Sequence, residues 1–371
     1  MARFVQLHLL TNYPPANLNR DDTGRPKTAL MGDALRLRVS SQSEKRAWRN
    51  SDVFKSQLGS SAAGQRSEDV VKWEIAPHVN LGTRTKEAGV RIYEALVAGA
   101  IKEKDAREWA RLVAGRFGAL EKAEDDKPLQ DLKIKQLCHV SPEEKSAIDA
   151  LVKKCIERRS APTDKELDLL RHPHRAVDIA MFGRMLADSP SYGVEAAVQV
   201  AHAITVHKTT VEDDYFSAVD DLNRDDKGAA HIGERGYGAG LFYQYVCIDR
   251  TLLQENLGED TDLTKKSLAA LIHAITKVSP IGMQNSHASR AHASFVLAEK
   301  GDQQPRSLVQ AFLKPIKPRD GEDMHELAVS AIDKRCGNFD KVYGACADAR
   351  YRVNVEEGEG SLAELVAFVQ E

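Results

Sequence analysis

The chain has 371 residues, 42% of them hydrophobic and 29% charged, with a formal net charge of −3. That is the composition of a water-soluble globular protein with more than one lobe, and it excludes a low-complexity or disordered chain. No apolar run reaches membrane-spanning length, and five scattered cysteines without a C-x-x-C pair read as reduced thiols of a cytoplasmic protein.

Phe4–Leu10 reads as a strand, followed by a turn-rich loop, Thr11–Pro26, holding Pro14, Pro15 and NLNRDD. The opening MARFVQLHLLTNYPP is too interrupted by Arg3 and His8 for a signal peptide. Next comes Leu35–Arg49, LRLRVSSQSEKRAWR, the segment that most clearly carries chemistry. Leu35, Leu37 and Val39 alternate with Arg36, Arg38 and Ser40, the period of a half-buried strand. Ser41 and Glu44 have capping-box spacing, so a helix is predicted from Ser41. Gln42, Lys45, Arg46 and Arg49 then share one helix face. Amide N–H groups at a helix start, among hydroxyls, an amide and cations, form a seat for phosphates.

From about Ser56 to Leu170 helical signals dominate, with Ser141 as an N-cap before Pro142 and a second cap-like pair at Thr163 and Glu166. Glu121–Asp131 is so charged that it reads as a mobile linker. Ala176–Leu186 and Ala196–His207 look strand-like, Gly238–Arg250 is a strong strand, Leu263–Val278 an amphipathic helix, Ala291–Ala298 a further strand, and Ser361–Val369 a closing helix. Strands separated by helices and long insertions imply an α+β core with appendages.

Charge is unevenly distributed. Residues 1–50 hold nine Lys/Arg against four acids, a net of +5, while 205–235 carry −4 and the tail from Gly321 carries −6. A concentrated basic patch, rather than the global sum, is what polyanion binding requires.

NLNRDD, RVSSQSEKRAWR, AVDIAMFGRM, AHAITVH, DYFSAVDDL and FYQYVCIDRTLLQENL occur in that order. Together they resemble the CasC-type backbone subunit of the type I-E CRISPR surveillance complex, Cascade, over nearly the whole chain. The resemblance implies a modified RNA-recognition-motif (ferredoxin-like) palm with a helical fingers domain and a thumb-like hairpin. On that pattern residues 1–55 and 172–320 are palm, 56–171 fingers, about 208–236 the thumb, and 321–371 a C-terminal part packing on the palm. It implies further that copies polymerise head to tail along a CRISPR guide RNA, beside other Cascade subunits, and present the guide to a target DNA strand. Arg20, Lys27, Ser40, Gln42, Lys45 and Arg49 match the positions expected to hold the guide backbone, and Arg184 and Met185 fall on a motif near its path. The aromatic signatures with which ordinary RNA-recognition motifs stack bases are missing, so readout through phosphate and sugar is expected.

No catalytic centre, metal or cofactor is expected. The alternative, a metal-dependent ribonuclease on the same palm, would use Asp33 or Asp22; against it, Asp21 and Asp22 suit loop hydrogen bonds and Asp33 the turn before a strand. His202 and His207, five apart, would face opposite sides of a strand and read as structural or RNA-contacting rather than as zinc ligands. Gly233–Gly236 has the spacing of a KH-type clamp but reads as the base of the thumb.

Overall fold

In the computed structural model, residues 2–59, 69–73, 79–218 and 231–371 are described; part of the expected fingers and the tip of the expected thumb lie outside them. The fold is α+β. It divides into two compact units, the first comprising Met1–Phe54, Gln199–Arg250 and Leu268–Glu371, the second Lys55–Val198 and Thr251–Ser267. Residues 172–198, assigned to the palm by the sequence pattern, thus fall in the second unit.

The first unit is built on an antiparallel sheet. Strand β1 (Phe4–Ala16) lies between the long strand His231–Asp249 and Phe295–Gly301. Val5 opposes Ile248 on one side and Lys300 on the other. Beyond Phe295–Gly301 the edge is closed by Ala349–Asn354. On the other flank Ala203–Thr205 leads to β3 (Ala34–Val39), which pairs with β2 (Thr28–Met31). β1 runs six residues past its expected end. Pro14 and Pro15 lack an N–H, and the pairing absorbs them as an irregularity between Tyr13 and Ala16.

Covered on both faces, β1 buries Gln6 and His8 among its leucines. His8 Nε2 lies 3.1 Å from Glu299 Oε2, and the same carboxylate receives Arg306 at 2.6 Å and Arg350 at 2.8 Å. Burial alone would raise the Glu299 pKa; the hydrogen bonds from His8 and Arg306 hold it below the usual carboxylate range. Tyr243 Oη is 2.9 Å from His8 Nδ1, so both ring nitrogens of the buried histidine have partners. One apolar cluster gathers Leu10, Tyr243, Phe295, Leu308, Phe312 and Ile332, and another Tyr13, Leu37, Val39 and Phe242.

The alternation in β3 differs from expectation. Leu37 and Val39 are buried, but Leu35 is 39% exposed and Arg36 fully buried. Arg36 donates to the carbonyls of Thr205 and Phe312, both at 2.8 Å, so it serves as an interior tie. The turn from β2 to β3 uses Gly32 (φ +59°) and Asp33 (φ +57°), the left-handed pair of a two-residue hairpin. A Cβ on Gly32 would sit 1.6 Å from the Leu313 carbonyl oxygen, so the backbone approach itself demands glycine.

The second unit is mainly helical. Ala88–Ala98, Glu103–Ala114 and Pro142–Arg158 enclose a core containing Ile92, Leu96, Trp109, Leu132 and Val152. A short ladder, Thr83–Thr85 with Cys138–Val140, adjoins them. Ser141 and Glu144 complete the capping box predicted for Pro142–Arg158. The Thr163 amide and hydroxyl both donate to the Glu166 carboxylate at 2.9 Å, but only turns follow before Pro173. The stretch read as a mobile linker is instead anchored at its end: Asp131 is 6% exposed and binds Arg107 at 3.1 Å and Arg111 at 2.8 Å. Val177–Phe182, expected as strand, is a fully buried helix. All five cysteines are free and buried. Burial pushes the thiols of Cys138 and Cys336 up to about 12 and that of Cys247 to about 11.

Candidate nucleic-acid interface

The residues that could hold a polyanion come from three segments of the first unit: the loop 17–27, the start of helix α1 (Ser41–Asn50), and His202 just before the strand Ala203–Thr205. The loop is shaped by its own polar side chains. Asn17, fully buried, donates from Nδ2 to the carbonyls of Gly24 (3.0 Å) and Gly236 (2.9 Å). Asp21 Oδ1 accepts from the Thr23 amide, the Thr23 hydroxyl and the Arg25 amide at 2.8–3.0 Å. These bonds, led by the Thr23 hydroxyl, keep the Asp21 carboxyl below its ordinary pKa. Arg20 pairs with Pro26 across the loop neck, and the Lys27 amide donates to the Asn19 carbonyl at 2.8 Å.

Helix α1 starts at Ser41, but its cap is not the predicted one. Ser40, not Ser41, is the N-cap; it is extended (φ −74°, ψ 145°) and its hydroxyl accepts from the Ser43 amide. The Ser40 amide donates to Asn19 Oδ1 at 2.9 Å, which ties cap to loop. Glu44 therefore is not the capping-box partner. It is buried, and burial pushes its carboxyl up to about 8.

Loop and helix enclose an open groove of about 630 Å³, lined by Arg20, Asp21, Asp22, Ser40, Gln42 and Arg46 among others. A second cavity of about 450 Å³ shares Arg20 and Gly24 and adds Arg25, Glu234 and Arg235. A third, of about 500 Å³, lies between Arg25, Thr28 and Lys208–Val211. Among the described residues no aromatic side chain lines any of the three. Cations, amides and hydroxyls without a stacking platform suit a phosphodiester chain held irrespective of its bases.

The structure thus brings Arg20, Ser40 and Gln42 to one groove and adds Arg46. Lys45 and Arg49 are half-buried on the same helix, and Lys27 is half-buried beside β3. Arg184 and Met185 belong to the second unit. Arg184 departs from its predicted role. Its side chain is 1% exposed and its guanidinium is committed to Glu144 at 2.8 Å, with further bonds to the carbonyls of His139, Arg171 and Tyr192. Met185 is 86% exposed.

One pair escaped sequence reasoning. Arg38 Nη1 lies 2.7 Å from His202 Nδ1, on an exposed ring. Partial burial, then Arg38, Lys27 and Lys45, hold the His202 imidazole below its ordinary 6.5, so all three cations act on it. The signal was the shared face of Arg38 and Ser40; the partner strand could not be known before folding. His207, by contrast, bonds backbone through both nitrogens, to Lys208 and Leu241. As for the acids weighed as metal ligands, Asp33 occupies the turn described above and Asp22 lines the groove. Among the described residues no group of three or more His, Cys, Asp or Glu is placed to hold a metal ion.

The hairpin Glu212–Ala218 with His231–Asp249 rises beside this surface within the same unit. Arg25 meets Asp213 at 2.8 Å, and the Arg235 guanidinium lies 4.5 Å from the Phe216 ring centre. Gly233 passes under that ring, where a Cβ would lie 2.3 Å from Phe216 Cζ; this explains the glycine without a KH clamp.

The fold and groove define an α+β protein whose sheet unit carries open, charge-lined grooves with no aromatic side chain in their lining among the described residues. The chain belongs to the CT1975-like protein family, whose model matches residues 5–368. It is similar to a solved structure described as "CRISPR RNA-guided surveillance complex, pre-nicking", at 28% identity and a TM-score of 0.80, with 99% of each chain covered. A second, described as "CRISPR RNA-guided surveillance complex", shares the fold at 22% identity and a TM-score of 0.69, covering 98% of this chain and 99% of that one. No curated protein matches the sequence. Among the described residues no helix is long and apolar enough to cross a membrane.

Proposed function

We propose that this chain is a non-catalytic, guide-RNA-binding subunit of a type I-E CRISPR Cascade complex. It acts in the cytoplasm, stacking head to tail along the CRISPR RNA and presenting it to a complementary DNA strand. In this reading the sheet unit is the palm, the helical unit the fingers, and the hairpin around 208–236 the thumb. Base pairing supplies sequence specificity, so the protein should grip phosphate and sugar alone. The observation that carries the reading is the convergence of Arg20, Ser40, Gln42 and Arg46 on one open groove that, among the described residues, no aromatic side chain lines. The likeness to chains of RNA-guided surveillance complexes over nearly full length supports it.

The test is purification of the full chain with a CRISPR RNA, followed by sizing of the bound RNA. Co-purification with RNA of one discrete length, and equal affinity for unrelated single strands, is expected. Strong dependence on sequence would contradict the reading. So would Mg²⁺-dependent cleavage of a matched RNA that is lost in Asp33→Ala.

A further inference from the structure

The contact between Arg38 and His202 fixes more than a distance. A guanidinium carries only donors, so at 2.7 Å the Arg38 Nη1 group donates and His202 Nδ1 accepts. The ring is therefore neutral with its proton on Nε2, a tautomer imposed by its neighbour. The pairing of β3 with Ala203–Thr205 sets this up, since Arg38 opposes Ile204 and Val39 opposes Ala203. Lys27 is held alongside through the Arg38 amide, which donates to its carbonyl at 2.8 Å. The ring is exposed, and among the described residues its Nε2 has no protein partner.

Resting on the RNA-binding reading above, we propose that His202 is an uncharged hydrogen-bond donor to the bound strand. Its Nε2–H takes a phosphate or ribose oxygen of a nucleotide whose phosphate is neutralised by Arg38 and Lys27. Arg38 is then also a positioning residue, because it sets the tautomer that aims a proton outward. A neutral donor amid cations adds geometric selectivity for the strand without adding to counterion release.

That distinction gives the test. The full chain, His202→Ala, His202→Gln and Lys27→Ala are titrated with single-stranded RNA of two unrelated sequences across a range of salt. His202→Ala should weaken binding about three- to tenfold, the worth of one hydrogen bond, with an unchanged slope of log affinity against log salt. Glutamine, whose amide N–H can stand in for Nε2–H, should restore most of the loss. Lys27→Ala should instead lower the slope by about 0.7, one phosphate contact on a single strand. Repeating the titration with DNA of the same sequence separates the two oxygens: a His202→Ala effect confined to RNA assigns the 2′-hydroxyl, an equal effect assigns the phosphate. Wild-type affinity in His202→Ala, a slope that falls as in Lys27→Ala, or no recovery with glutamine would overturn the proposal. Failure of the unaltered chain to bind RNA would instead overturn the functional reading on which it rests.

Discussion

The guanidinium of Arg184 sits on the carboxylate of Glu144 at 2.8 Å, with 1% and 0% of the two side chains exposed. Glu144 also accepts the Ser141 amide of the helix cap and the Arg171 amide. One buried anion thus joins a helix start, a loop and an arginine in the helical unit.

Removing one partner of such a pair leaves an uncompensated buried charge, which costs about 3–5 kcal/mol. Arg184→Ala should therefore lower the urea midpoint of the protein sharply. The RNA affinity of the molecules that remain folded, and its salt dependence, should be unchanged. A reduced salt slope with normal stability would return Arg184 to the binding surface.

Arg20 lines the groove from the loop. Arg20→Ala is expected to weaken binding equally for unrelated RNA sequences and to lower the salt slope by about 0.7. Fluorescence anisotropy at several salt concentrations reads both quantities. Discrimination between sequences appearing or vanishing in this variant would contradict a phosphate contact.

Glu44 gives a pH signature. Its folded pKa of about 8 stands above the ordinary 4.5, so between those values the folded chain binds more protons than the unfolded one. Its stabilising contribution is complete below about 4.5 and is lost as pH rises through 8, with a slope approaching about 1.4 kcal/mol per pH unit. Glu44→Gln should flatten urea-measured stability between pH 5 and 8 and be the more stable protein at pH 8. Parallel curves for the two proteins would show that the carboxyl titrates normally.

The Gly32–Asp33 turn separates backbone from side-chain roles. Gly32→Ala forces a Cβ into the Leu313 carbonyl and should cost at least about 2 kcal/mol. Asp33→Asn, which tolerates the same left-handed φ, should stay within about 0.5 kcal/mol of the parent. Thermal melts compare the two, and a large loss in Asp33→Asn would give the carboxylate a function beyond the turn.

Periodicity and capping made much of this molecule legible in its sequence. The long strand ending at Asp249, the helix capped by Ser141 and the closing helix capped by Ser361 follow from local pattern. What failed was decided by distant partners. Val177–Phe182 is apolar except for Asp178, and such a short run fits a buried strand or a buried helix equally well. Arg36 looked solvent-facing until the carbonyls of Thr205 and Phe312, from two remote segments, claimed it. The groove shows the same division. Gln42 and Arg46 were readable from helical spacing, whereas the Arg38–His202 contact needed the strand pairing. Asp213, one of the acids that make residues 205–235 net negative, meets Arg25, a pairing that sequence spacing does not reveal.

The five buried cysteines have a practical consequence. With their thiols withdrawn from solvent and shifted upward by burial, the native chain offers little for maleimide chemistry near neutral pH. A cysteine introduced at an exposed position such as Met185, 86% accessible, would take one dye without removal of the natural five. Single-molecule fluorescence of a chain labelled in this way would test directly the proposed assembly on RNA.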